Sequence, residues 1–113
     1  MIVTVQGPAH APVRVIRIRG DLDLLAVERL RDALLDATSR DDPRQVVVDL
    51  TGVTFIDSTG LGVLVGARTR LLDRGVPLRL VVDAEQLLRT LRISSLARLF
   101  TVHRTLDEAV AAG

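Results

Sequence analysis

The sequence predicts an α/β domain with a mostly parallel sheet. Two observations carry this prediction. From Val13 onward, runs of β-branched residues alternate with stretches of helical periodicity, and residues 46–50 form an apolar run that only Asp49 interrupts. Strands that alternate with helices are typical of a parallel sheet joined by right-handed crossovers. A continuous apolar run is typical of a strand that is covered on both faces or buried at the centre of a sheet.

The first half of the chain predicts two strands, a helix and the central strand. Residues 2–5 and 13–19 are rich in β-branched side chains, and Gly20 ends the second of these runs. The segment that follows has the three-and-four spacing of an amphipathic helix, and Asp23 is well placed to act as its N-cap. The apolar positions of this helix are Leu24, Val27, Leu30, Leu34 and Leu35.

The second half of the chain continues the alternation and ends in a helix. Residues 58–73 have helical periodicity. Asp83 can cap the next helix, and Thr105 can cap the last one, which has acidic residues in its first turn. The elements after the 58–73 helix are a strand at 78–82, a short helix through 91, a short strand at 100–102 and a helix at 105–112.

Length and composition favour one domain, spanning 1–113, that binds neither nucleic acid nor a membrane. The fifteen basic residues are all Arg, and fourteen acidic residues interspersed with them leave a net charge of +1. Nucleic-acid binding would call for a basic stripe with stacking aromatics, but the chain has two Phe and no Tyr or Trp. No apolar run approaches the roughly 18 residues that span a bilayer. The N-terminal segment has no basic flank of the kind that starts a signal peptide, so we expect a cytoplasmic protein.

The segment at 53–64 is the most informative part of the chain, because it joins the most hydrophobic strand to the next helix. Open α/β sheets bind their ligands at this carboxyl end of the strands. Gly60, Gly62 and Gly66 all fall in the first turns of the helix, where each costs about 1 kcal/mol relative to alanine. The sequence leaves two explanations for these glycines open. Either the helix packs closely against the rest of the fold, or the surface of a partner approaches the helix closely.

Ser58 also admits two interpretations. Ser and Asp are preferred N-caps, so Asp57 and Ser58 have an ordinary structural explanation. A hydroxyl at a helix N-terminus is equally a place where a phosphate is tolerated, because the helix dipole and free backbone N–H groups favour an anion there. A phosphoserine carries roughly −1.5 to −2 charges at neutral pH. Near Asp57, and near Asp21 and Asp23 on an earlier loop, such a charge would repel whatever docks there.

Enzymatic interpretations of the same residues are weaker. The sequence around Ser58 lacks the glycine two positions earlier that a nucleophile elbow requires, and Val65 replaces the third glycine of a dinucleotide fingerprint. The two histidines are His10, in a predicted turn, and His103, after the last strand. A triad of Ser58, His103 and an aspartate is compatible with the residue order, but we do not favour it. With no Cys and no close pair of His, we expect no metal site and no cofactor.

At residues 57–62, Asp-Ser-Thr-Gly-Leu-Gly, the chain resembles the anti-sigma factor antagonists of the STAS family. Weaker matches occur at 20–23, 47–50 and 96–100. The resemblance implies the STAS fold, a single mixed, mostly parallel sheet of four or five strands with about four helices largely on one face. We expect a monomeric protein that is not an enzyme.

Members of this family bind an anti-sigma factor of the histidine-kinase-like ATPase type and free its sigma factor. The resemblance implies that this anti-sigma factor phosphorylates Ser58 with its own ATP and magnesium, which turns binding off, and that a phosphatase reverses the modification. A STAS module of another signalling or transport-associated assembly is the alternative. The partner-binding residues implied are Asp21, Asp23, Asp57, Ser58, Thr59, Gly60, Leu61 and Gly62.

Two positions depart from the family pattern. Asp21 is more often Glu in relatives, and Thr59 replaces a second serine that many of them carry. Thr59 therefore offers a competing hydroxyl, which we expect to be less exposed than that of Ser58. Neither departure weakens the resemblance, and both bear on which partner is recognised.

Overall fold

The computed structural model describes residues 2–6, 13–20, 24–38 and 43–112. The predicted cap Asp23, the acidic residue Asp21 and His10 lie outside these residues. The strands are β1 (Ile2–Gln6), β2 (Val13–Arg19), β3 (Gln45–Gly52), β4 (Leu78–Val81) and β5 (Thr101–His103). The helices are α1 (Leu24–Thr38), α2 (Ser58–Leu72), α3 (Glu85–Ile93) and α4 (Leu106–Ala112), and a 3₁₀ turn covers Ser95–Leu99.

The five strands form one mixed sheet in the order β1-β2-β3-β4-β5. The β1 strand pairs antiparallel with β2, whereas β2, β3, β4 and β5 run parallel to their neighbours. The helices α1, α2 and α3 are the successive crossovers between these parallel strands. The predicted α/β fold with a mostly parallel sheet is therefore confirmed.

Side chains from alternate positions of β3 enter two separate cores. Val46, Val48 and Leu50 are fully buried in the main core, which is formed by the sheet and by α1, α2 and α3. Val47 points to the opposite face and packs against Ala109 of α4. Three of the four described helices thus share one face of the sheet, as the resemblance implied. Burial on both faces of the sheet explains why β3 is apolar at every position from 46 to 50 except Asp49.

Two local predictions are wrong. The N-cap of α3 is Ala84 and not Asp83, because the helix begins at Glu85, and no side chain caps it. An acidic residue in the first turn, Glu85, complements the helix dipole instead. Leu35, which was predicted to lie on the buried face of α1, is 42% exposed.

The other predicted boundaries agree to within one or two residues, and β3 extends to Gly52. Phe100 is a buried core residue that precedes β5. Thr105 caps α4 as predicted, because its hydroxyl oxygen accepts a hydrogen bond of 3.2 Å from the Glu108 N–H.

Candidate functional site

The candidate site lies where the loop after β3 enters α2, at the carboxyl end of the parallel strands. The loop carries Asp57, whose extended backbone (φ −96°, ψ −179°) makes it the N-cap of α2. Its carboxylate Oδ1 accepts a hydrogen bond of 2.9 Å from the Gly60 N–H, and its carbonyl accepts one of 3.0 Å from the Leu61 N–H. Asp57 therefore accepts the first intrahelical hydrogen bond through its carbonyl, and its side chain satisfies one of the backbone donors that a helix start leaves open.

Ser58 is the first residue of α2 and is exposed to solvent. Its hydroxyl makes no hydrogen bond with any residue that the structure describes. Asp57 therefore has the capping role, whereas the Ser58 hydroxyl bonds to none of the described residues. A group attached to the Ser58 hydroxyl would enter solvent near the positive end of the helix dipole.

The glycines of α2 have different surroundings. A Cβ atom at Gly60 would lie 2.9 Å from Cγ1 of Ile56, a residue that is itself buried. A Cβ atom at Gly62 would meet nothing within 4 Å, and one at Gly66 would only touch the guanidinium of Arg70 at 3.5 Å. Close packing therefore explains Gly60, whereas no contact within the described structure explains Gly62 or Gly66.

A groove of about 430 Å³ runs along α2 on the side that faces α1. Gly62 and Gly66 place no side chain in the groove, and Arg31 of α1 and Arg70 of α2 add positive charge to its lining. Arg31 also forms an exposed ion pair of 3.0 Å with Glu28. The residues that line the groove are Arg31, Thr59, Gly62, Val63, Gly66 and Arg70.

Four of these groove residues were not among the predicted site residues, namely Arg31, Val63, Gly66 and Arg70. The spacing of 59, 62, 63, 66 and 70 along one face of a helix was the available signal for those in α2. The position of Arg31 could not be predicted in this way, because it depends on how α1 packs beside α2.

Phe55 is a further residue that the sequence analysis did not assign to the site. Its side chain is 51% exposed, although it lies in the loop that leads to Asp57, next to the buried Ile56. A half-exposed aromatic side chain is of the type that dominates the energetics of protein interfaces. The signal in the sequence was the placement of one of only two Phe beside the Asp-Ser motif.

The structure brings the predicted residues from Asp57 to Gly62 together in the first turns of α2, but not all of them face solvent. Leu61 is 3% exposed and packs in the main core, so its side chain cannot contact a partner. Thr59 is exposed, as Ser58 is. Asp21 and Asp23 lie outside the described residues.

Neither a catalytic triad nor a metal centre is supported at this site. Nε2 of His103 lies 3.5 Å from Nη1 of Arg79, on β5 and β4, rather than beside Ser58. The described residues contain no cluster of three or more His, Asp or Glu side chains that could hold a metal ion. Among the same residues, no helix has the length and apolar character to cross a membrane.

Comparison with known proteins identifies the family. The STAS domain model matches residues 3–109. The chain is 29% identical over 108 residues to the anti-sigma-F factor antagonist RsfB of Mycobacterium tuberculosis, which covers 96% of this chain and 87% of RsfB. It is 30% identical over 88 residues to the anti-sigma-B factor antagonist of Staphylococcus aureus, covering 78% of this chain and 81% of that protein.

A crystal structure of an anti-sigma factor antagonist from Mycobacterium paratuberculosis has the same fold. It superposes with a TM-score of 0.87 at 26% identity, over 98% of this chain and 92% of that one. These relatives are named as regulators of sigma factors and not as enzymes. The STAS domain match over residues 3–109 and the relative at 30% identity show that the chain belongs to the STAS domain family, among its anti-sigma factor antagonists.

Proposed function

We propose that this protein binds an anti-sigma factor with serine kinase activity, frees the sigma factor from it, and is switched off by phosphorylation of Ser58. The observation that carries the proposal is the exposure of the Ser58 hydroxyl at the start of α2, beside a cap that does not use it. Names of the relatives support the partner class, since both the Mycobacterium tuberculosis and the Staphylococcus aureus proteins are antagonists of anti-sigma factors.

In the phosphorylation step, the Ser58 oxygen attacks the γ-phosphorus of ATP held by the anti-sigma factor with magnesium. The bond from that phosphorus to the bridging oxygen breaks, ADP leaves, and a base of the kinase takes the hydroxyl proton. A separate phosphatase restores the serine by hydrolysis and releases inorganic phosphate. This chain supplies only the acceptor hydroxyl and its presentation.

Electrostatics explain how one phosphate would end binding while the fold persists. The group adds roughly −1.5 to −2 charges at a helix N-terminus, where the dipole tolerates an anion. It would also stand one residue from the Asp57 carboxylate, which remains bonded to the Gly60 N–H. A partner surface that fits the unmodified helix start would then meet a concentrated negative charge, and its own acidic groups would be repelled.

The surface around Ser58 has the features of a protein contact. Phe55 offers an exposed aromatic side chain, and the open positions at Gly62 and Gly66 allow a partner to approach the helix backbone. Thr59 borders the same groove. We infer that the partner covers the loop and the first two turns of α2, and that Phe55 is its main apolar contact.

Calorimetric titration with the cognate anti-sigma factor tests the switch. Ser58→Asp is expected to stay folded and to bind at least about tenfold more weakly, which corresponds to about 1.4 kcal/mol. Ser58→Ala is expected to bind as the wild type does, because its hydroxyl has no structural partner among the described residues. Ser95→Asp is the matched control, since it adds the same charge at an exposed position in the 3₁₀ turn. Equal affinity of Ser58→Asp and wild type would refute the proposal.

Mass spectrometry after incubation with the anti-sigma factor, ATP and magnesium tests the acceptor. Thr59 is exposed beside Ser58 and is the competing hydroxyl. We expect one phosphate, on Ser58, which is lost in Ser58→Ala and retained in Thr59→Val. Phosphate on Thr59 in the wild type would contradict the assignment.

A further inference from the structure

A second groove lies at the opposite edge of the sheet from β1, between α3 and β5. It encloses about 280 Å³, and its floor is apolar. Leu88 and Leu91 of α3 supply the floor together with Val102 of β5, and Arg92, His103 and Arg104 surround it. Because β4 separates β5 from β3, this groove does not belong to the surface around Ser58.

The backbone of β5 has an open hydrogen-bonding edge along this groove. In a parallel pair, alternate residues direct both their N–H and their C=O to the same neighbouring strand. The His103 carbonyl accepts a bond of 2.9 Å from the Val82 N–H, so His103 and Thr101 face β4. Val102 must then direct its N–H and C=O away from β4, and neither group has a partner among the described residues.

The side chain and the backbone of Val102 thus both contribute to the α3–β5 groove. Its side chain packs against the main core and forms part of the groove floor, while its N–H and C=O point outward. In an extended segment laid antiparallel beside β5, the residue opposite Val102 can bond both groups and direct its side chain into the groove. Addition of such a strand to a free sheet edge is a recurrent mode of peptide recognition.

The charges at the two ends of the groove indicate which residues flank that side chain. Arg92 lies in the last turn of α3, is exposed and has no ion pair with a described residue. Arg104 follows β5 and reaches Glu85, at the start of α3, through an exposed ion pair of 3.1 Å. An exposed pair of this kind is worth little, and a guanidinium keeps further N–H donors free. Acidic residues in the bound segment therefore find a cation at each end.

The spacing of these features defines a sequence pattern. Side chains two residues apart on an extended strand lie on one face, about 6.6 Å apart. Leu88 and Arg92 are four residues apart on α3, a rise of about 6 Å. We propose that the α3–β5 groove binds an extended segment of a partner protein in which one apolar residue is flanked, two positions away on each side, by acidic residues.

Charge favours such a partner over a second copy of this chain. Pairing of β5 with β5 from another molecule would bring Arg92 and Arg104 of both copies to one seam, and like charges opposite one another are destabilising. The exposed pair with Glu85 offsets only one of these cations. An acidic segment meets no such repulsion at the Arg92 end.

The probe for this proposal is the peptide acetyl-Ser-Glu-Thr-Leu-Thr-Glu-Ser-amide, titrated into the isotope-labelled protein and followed by NMR. We expect saturable shifts of the amides of Leu88, Val102 and Arg104. The same peptide with Lys in place of both Glu is expected to bind at least about tenfold more weakly. A peptide N-methylated at its central Leu cannot donate to Val102 and is expected to bind about fivefold more weakly.

Two charge-reversing variants test whether the charge at position 92 itself contributes to peptide binding. Arg92→Glu is expected to weaken binding at least about tenfold, whereas Arg29→Glu, at an exposed position of α1, is expected to leave it unchanged. Ser58→Asp is also expected to bind the peptide normally, so failure here and failure of the Ser58 switch are distinguishable. Absence of binding at millimolar peptide, equal binding of the Lys peptide, or a dimer held through β5 in sedimentation would each overturn the proposal.

Discussion

Gly60 and Gly62 lie only two positions apart in α2, but their surroundings differ. Gly60 is buried, and its missing side chain leaves the space that Ile56 fills. Gly62 faces open solvent, where a side chain would meet nothing within 4 Å. A glycine in a helix costs about 1 kcal/mol relative to alanine. Packing offsets that cost at Gly60, and within the described structure nothing offsets it at Gly62.

Alanine substitutions should therefore have opposite effects on stability. Gly60→Ala is expected to lower the free energy of unfolding by about 1–3 kcal/mol, because its Cβ would overlap a buried, branched side chain. Gly62→Ala is expected to raise it by up to about 1 kcal/mol, through helix propensity alone. Urea denaturation followed by circular dichroism measures both. A loss of stability in Gly62→Ala would mean that this position is packed against something after all.

The sequence alone indicated this candidate site but not which of its residues caps α2. Both Asp57 and Ser58 are preferred capping residues, so their types could not tell which one caps α2. The answer depends on backbone dihedrals at a single residue, which propensity does not determine. Leu61 illustrates the same limit, because membership of a motif does not reveal that the side chain turns into the core.

At the scale of elements, α4 is held by a polar network as well as by its apolar face. Gln45, at the start of β3, is 2% exposed and donates to the Val110 carbonyl at 3.1 Å. Arg79 of β4 donates to the Gln45 side chain at 3.0 Å and to the Ala112 carbonyl at 3.4 Å. The last carbonyls of a helix have no partner within it, so these side chains satisfy the carboxyl end of α4.

Removal of Gln45 should loosen α4 specifically. Gln45→Leu takes away the donor to Val110 and the acceptor for Arg79, and we expect a loss of about 1–3 kcal/mol in the free energy of unfolding. Amide hydrogen exchange is expected to accelerate more in α4 than in α2. Gln86→Leu, at an exposed position of α3, is the matched control. Uniform acceleration over the whole chain would contradict this local role.

The predictability of the elements follows from how each is stabilised. The β3 strand and α1 carry strong apolar patterns, so both were predicted. The start of α3 was misplaced because the sequence offers Asp83 as a cap, while the chain begins the helix one residue after Ala84 without one. The separate face occupied by α4 could not be predicted, because its contact rests on the small buried Ala109, on the partly buried Leu106 and on side chains of distant strands.

The molecule as a whole depends on the core between the sheet and α1 to α3. Leu64 of α2 is fully buried there, and the helices on this face surround it. Ile93, at the end of α3, is 80% exposed in spite of its size. Residue type alone ranks the two as equals, and only the assembled fold separates them.

Truncation of these two residues should measure the difference. Leu64→Ala is expected to destabilise the protein by about 2–5 kcal/mol, through lost burial and the cavity that remains. Ile93→Ala is expected to change stability by no more than about 0.5 kcal/mol. Denaturation midpoints at matched protein concentration provide the comparison. Comparable losses in both variants would show that Ile93 is covered in solution.

The lack of any described bond to the Ser58 hydroxyl has a kinetic consequence for the proposed modification. An enzyme that acts on a buried or bonded group must wait for a local opening, and its rate then follows the population of the open form. The Ser58 hydroxyl is already exposed, so a kinase can reach it without local unfolding. No opening step would therefore limit the rate of phosphorylation, and mild denaturant that leaves both partners folded would not hasten it.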